Sequence, residues 1–219
     1  LPRAAHQLAA ELMHTAARWL SVLLHPIFLP TYTLWLALHL DPHLAFFLPA
    51  EAQWITLGMV ALMTIALPIT STLLLLRAGL ISTLEMPARG ERIAPYVMTM
   101  IYYAMAWYLL RRTPLHPAVH ALFLGTLVAL AGTTIITLRW KISAHMVGIG
   151  GAVGALIALS SMHRLQLIVP ISVLLLFAGA LASARLLTSD HTPAQVYVGF
   201  FVGALAVAAC VLFSSGALL

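Results

Sequence analysis

The chain of 219 residues is 62% hydrophobic and 8% charged, with a mean hydropathy of +1.01. A folded sphere of this size needs more polar surface than that, so an ordinary soluble domain is excluded and a membrane protein is expected. Eleven Lys and Arg against six Asp and Glu give +5, but these cations stand singly or in pairs at the ends of apolar runs, where they suit anionic headgroups or an anionic substrate and exclude a nucleic-acid surface.

In chain order, the start at Leu1 instead of Met points to a trimmed beginning, and the first segment lacks the small-residue site of a cleavable signal. Residues 1–18 set Leu8, Leu12 and Ala16 on one stripe and Gln7, Glu11, His14 and Arg18 on others, which predicts a short helix lying at the membrane interface. Seven apolar runs follow, at 19–40, 54–77, 93–111, 119–139, 143–163, 165–184 and 194–215. Each is close to the ~20 residues that cross a bilayer as a helix. The alternation of a β-barrel is missing. The fold expected is therefore all-α: one integral-membrane domain over 1–219, a polytopic bundle of six or seven transmembrane helices with the interfacial helix in front.

Pro26, Pro30, Pro68 and Pro170 fall within or near the ends of these runs, where kinks or short spans are expected. Gly148, Gly150, Gly151 and Gly154 in the fifth run, with Gly199 and Gly203 in the seventh, have the small-xxx-small spacing that lets helix backbones approach. Trp19, Trp54, Trp107 and Trp140 sit near predicted span ends, as an aromatic belt requires. The single cysteine, Cys210, lies inside an apolar run and supports no disulfide framework.

Counting crossings sorts the connections onto two sides. Arg3, Arg18, Arg77, Arg89, Arg92, Arg139, Lys141 and Arg185 fall on the side of the first residues, against Arg111, Arg112 and Arg164 on the other. Three segments on the first side carry unusual residues: Arg89-Gly-Glu-Arg92 with Pro95, Lys141-Ile-Ser143-Ala-His145, and Arg185 with His191. The fifth span begins near Ser143 with its free N–H groups and positive dipole end beside Lys141, which makes an anion site. Thr192-Pro193 is an N-cap followed by a first-turn proline, which puts His191 at the mouth of the seventh span. Guanidinium forks, an ammonium, N–H donors, a hydroxyl and imidazoles together suit a multiply charged oxyanion such as phosphate. Single histidines elsewhere (His6, His14, His39, His43, His116, His120 and His163) read as incidental; His25, which opens the first span on the same side, could reach the site, with capping by polar headgroups the preferred reading.

The run from Ala184-Arg185 through His191 and Gln195 to Gly199 resembles the third signature of the type 2 phosphatidic acid phosphatases, S-R-x5-H-x3-D-x3-G, a family related to vanadium haloperoxidases. Ser143-Ala-His145 resembles the core of their second signature, P-S-G-H. Arg92 with Pro95 nearby resembles a loosened form of the first, K-x6-R-P. The resemblance spans residues 85–205. It departs at Gln195, where the family has a carboxylate that orients the nucleophilic imidazole, and at Glu85, which stands where the first signature has Lys.

The resemblance implies a lipid phosphate phosphatase. His191 would be the nucleophile and His145 the general acid and base. Arg92, Lys141, Ser143 and Arg185 would hold the phosphate, Arg89 would be a further cation, and Gln195 would orient His191. It implies no metal and no other cofactor, a membrane lipid phosphate as partner with no nucleic acid, and, by likeness to bacterial members, an outward-facing site in the inner membrane. Transfer of a headgroup to another lipid, and binding or transport of a lipid phosphate without turnover, are the alternatives.

Overall fold

A computed structural model describes residues 2–46, 48–84, 86, 88–188 and 191–214, without the side chains of 2–6 and 8–10. Leu1, Leu8's side chain, Glu85 and Asp190 lie outside what is described. Among the described residues the chain is helical throughout and without strands, and six helices are long and apolar enough to cross a membrane. It is a multi-pass, all-α membrane bundle.

The helices are α1 (Pro2–Leu23), α2 (Leu29–Leu40), α3 (Pro42–Ala45), α4 (Ala50–Ala61), α5 (Leu67–Arg77), α6 (Ile93–Leu110), α7 (Pro117–Thr137), α8 (Ala144–His163), α9 (Ile168–Leu187) and α10 (Pro193–Ser214). A π-turn at Leu62–Ala66 joins α4 to α5 into one span, and a 3₁₀ turn at Arg89–Arg92 opens α6. The π-turn has a cause in the sequence. Pro68 has no N–H to offer the carbonyl of Thr64, so the ladder widens just before it. Pro117 and Pro193 open their helices at the first turn, where a missing N–H costs nothing.

The predicted run at 19–40 is not one span. α1 carries on to Leu23, the chain turns through His25-Pro26, and α2 then rises only about 18 Å over its 12 residues. α2 nevertheless joins the two ends of the bundle: Leu29 packs with Met146 and Ile149 in the first half of α8, while Asp41 meets His163 at its end. Ser21 and His145 therefore lie at one end of the bundle, and Asp41 and His163 at the other. In α1, Leu12 and Ala16 face outward, while Ala17 and Ser21 are buried toward the bundle. Most apolar side chains of the peripheral helices, such as Leu176 and Phe213, face outward, as lipid contact requires.

At the centre is α8, two-thirds buried over its apolar core, and its partner is α10. The matched positions advance together along both helices: Gly199 lies on the Ser143 carbonyl, Gly203 on the Val147 carbonyl, Gly150 on Phe200 and Gly154 on Ala204. The pair is therefore parallel, with both N-termini at one edge. A Cβ at Gly150, Gly154 or Gly203 would fall onto opposing backbone, so the seam requires glycine. α7 packs antiparallel on the other face of α10, with Gly125 against Val207 and Gly132 against Val202.

Gly203→Ala drives its methyl onto the Val147 carbonyl and is expected to lower stability by about 1–3 kcal/mol. Gly179→Ala in α9, where the added methyl meets nothing, is expected to be neutral or mildly stabilising. Thermal unfolding of the two purified variants in detergent checks both.

Candidate functional site

The parallel seam sets two helix N-termini side by side, and their like dipole ends make the shared edge attractive to an anion. They are linked directly, since the Ser143 N–H donates to the Gln195 carbonyl at 3.4 Å. Ser143 occupies the N-cap of α8 without its side chain capping that helix. Its hydroxyl is fully buried and has no hydrogen-bond partner. A buried, unsatisfied hydroxyl is costly unless something completes it.

The opening of α10 is a capping box, Thr192-Pro-Ala-Gln195. The Gln195 N–H donates to Thr192 Oγ1 at 3.4 Å, and Gln195 Oε1 accepts the Thr192 N–H at 3.1 Å. The same Oε1 lies 3.1 Å from His191 Nδ1. Because the backbone N–H fixes that atom as the amide oxygen, Nδ1 must be the protonated nitrogen of His191, which leaves the lone pair on Nε2. Gln195 thus fixes the tautomer and direction of the His191 ring.

His191 is buried, and burial holds its imidazole down at about 4; Arg185, Lys141 and Arg92 push the same way and the Gln195 hydrogen bond opposes them. The three cations from α9, the α7–α8 connection and the start of α6 therefore act on one neutral imidazole. Arg92 is steadied by donating from Nε to the Met86 carbonyl at 2.9 Å. Glu91, beside it, is turned to the N–H and hydroxyl of Ser82.

His145 lies within electrostatic reach of Arg185 and His191. Its Nε2 lies 3.0 Å from the Ser21 carbonyl, so Nε2 bears a proton and Nδ1 is the other acid–base position. Arg185 donates to Ser21 Oγ at 3.3 Å. His25 stands edge-on to His145, ring centres 5.1 Å apart.

Of the residues singled out in the sequence, Arg92, Lys141, Ser143, His145, Arg185, His191 and Gln195 gather at this edge. Arg89 does not join them: it is exposed and its guanidinium donates to the Arg139 carbonyl. His25 is not the headgroup-facing residue expected, because the turn that breaks the 19–40 run folds it onto His145. Ser21 was missed altogether. Its backbone carbonyl and hydroxyl hold two site residues, and no residue-type signal marks such a role in an apolar helix.

Beside the site, an apolar cavity of about 430 Å³ lies among α2, α5, α6, α7 and α8. His25 and Ala144 line its near end, Tyr103 and Leu122 its deep end. Its volume falls in the range of small-ligand sites.

An imidazole held near 4 in the fold and near 6.5 when unfolded leaves the unfolded chain binding more protons between those values. Its contribution is therefore full above about pH 6.5 and is lost as pH falls toward 4. Unfolding midpoints measured across this window should fall with pH in the native protein, and His191→Gln should flatten the slope.

Comparison with known protein families, characterised proteins and solved structures returns no match to this chain, so the reading of the site rests on its own geometry.

Proposed function

We propose that Arg92, Lys141, Ser143, His145, Arg185 and His191 bind the phosphate of a membrane lipid and hydrolyse it through a phosphohistidine on His191. The observation that carries this reading is the state of His191: neutral, aimed by Gln195 through Nδ1, with its Nε2 lone pair in the field of three cations. A nucleophile must keep its lone pair at neutral pH, and cations beside it draw in the phosphate that it attacks. The likeness to the type 2 phosphatidic acid phosphatases adds the same roles for the same residues.

In the first step a phosphate arriving with one proton passes it to Nδ1 of His145. Nε2 of His191 then attacks phosphorus, the bond from phosphorus to the lipid oxygen breaks, and the departing alkoxide takes that proton from the His145 imidazolium. In the second, His145 takes a proton from water, the hydroxide attacks phosphorus, and the P–N bond breaks. Orthophosphate leaves and His191 is neutral again. The Arg92, Lys141 and Arg185 cations hold the non-bridging oxygens, and the Ser143 hydroxyl gains the partner it otherwise lacks. The amphiphilic substrate follows from the adjoining apolar cavity, which suits hydrocarbon beside a headgroup-level phosphate.

Purified protein is expected to release orthophosphate from at least one of phosphatidate, a polyprenyl phosphate or diphosphate, and phosphatidylglycerophosphate. His191→Ala should abolish release, and His145→Ala should slow it by about 10²–10⁴-fold. Gln195→Asp, which restores a carboxylate beside Nδ1, should raise turnover about tenfold or more. Undiminished release by both histidine variants overturns the assignment. A new phosphorylated lipid in place of orthophosphate identifies a phosphotransferase, and tight vanadate binding with no turnover identifies a binding protein, the reading that the missing carboxylate at Gln195 favours.

A further inference from the structure

The opposite end of the bundle carries a second cluster. Asp41, in the corner between α2 and α3, is completely buried. Each of its carboxylate oxygens faces an imidazole: Oδ1 lies 3.1 Å from His43 Nδ1, and Oδ2 lies 2.5 Å from His163 Nδ1. The two rings lie 4.6 Å apart, and His116 stands edge-on to His163 at 5.2 Å. Three ligand atoms of Asp41, His43 and His163 fall within 4.8 Å of one another.

A buried carboxylate needs compensation, and Oδ1 already accepts the His43 backbone N–H at 3.0 Å as the cap of α3. Here two imidazoles, one from the α3 corner and one from the end of α8, turn the same nitrogen toward it. Tetrahedral ligands about 2.0–2.1 Å from a zinc ion are separated by about 3.3 Å, so three donor atoms already within 4.8 Å of one another need only side-chain adjustment to surround one. Imidazole nitrogens with one carboxylate oxygen are a donor set that zinc-like ions prefer. His116 stands outside this trio of donors, and its Nδ1 accepts the Ala118 N–H as the cap of α7. With His43, Pro42 and Phe46 it lines a pocket, so the His43 side of the cluster is open to a further ligand such as water.

We infer that Asp41, His43 and His163 form a binding site for a divalent transition-metal ion of the zinc type, separate from the phosphate site. Each histidine coordinates through the Nδ1 lone pair, its proton moving to Nε2, and Asp41 coordinates as the carboxylate. The ion cross-links the end of α2 to the end of α8, residues 122 positions apart. It does for the short α2 what a full-length span does by packing.

The test uses the full chain carrying a histidine-free affinity tag, with zinc measured by mass spectrometry after dialysis and by titration. One zinc per chain is expected, retained in His191→Ala and His145→Ala. In Asp41→Asn and His163→Ala the affinity should fall at least about 100-fold, since even changes behind the ligands cost 10–100-fold. Cobalt added to the native protein should give the intense visible bands of a tetrahedral site, a readout that stands even where a variant fails to fold. Zinc binding that survives Asp41→Asn and His163→Ala, zinc lost instead with His191→Ala and His145→Ala, or native protein that takes up neither zinc nor cobalt overturns the inference.

Discussion

Everything at the edge that gathers the cations and imidazoles depends on backbone lying against backbone along the α8–α10 seam. Because glycines replace side chains at Gly150, Gly154, Gly199 and Gly203, the two axes come close enough for the Ser143 N–H to reach the Gln195 carbonyl. Because the helices run parallel, both positive ends point the same way. Two antiparallel helices in equally close contact would bring one positive and one negative end together, and an anion would gain little. The seam is thus both the core of the fold and the source of the site's polarity. Gly199, the last position of the signature-like run, illustrates this by giving the Ser143 carbonyl room.

The bilayer accounts for the rest of the arrangement. With no aqueous domain in the described residues, polar chemistry is confined to helix ends, where water and headgroups can meet it. The two ends specialise differently. One gathers cations around imidazoles, and the other gathers imidazoles around a carboxylate. α8 joins them, carrying His145 in its first turn and His163 in its last.

Much of this was legible in the sequence, and the boundary has a physical cause. Lipid imposes a length on apolar runs, so five later helices lie within a few residues of their predicted limits, and glycine spacing marks the fifth and seventh spans as helices of close approach without saying that they pack on each other. The signature-like spacing in 185–199 located His191 and Gln195 because helical geometry converts four residues of separation into one hydrogen bond. What sequence could not supply was depth. The 19–40 run has the composition of a span, yet a turn at His25-Pro26 divides it, and only tertiary contact carries His25 and Ser21 to His145. The same limit hid the Asp41 cluster, in which His43 and His163 read singly as incidental and His163 stands 122 residues from Asp41. Arg89 shows the converse, since a shared loop with Arg92 did not give it a shared direction.

The residues of the edge that gathers the cations and imidazoles differ in what stands behind them. Ser143 and His145 sit at the start of α8, two-thirds buried over its apolar length. Arg92, Arg185 and His191 come from the ends of α6, α9 and α10, helices with most of their surface turned outward. Bilayer thickness and lateral pressure consequently act on these three helices more than on α8, so the membrane itself sets how the two guanidiniums and the His191 imidazole stand against Ser143 and His145.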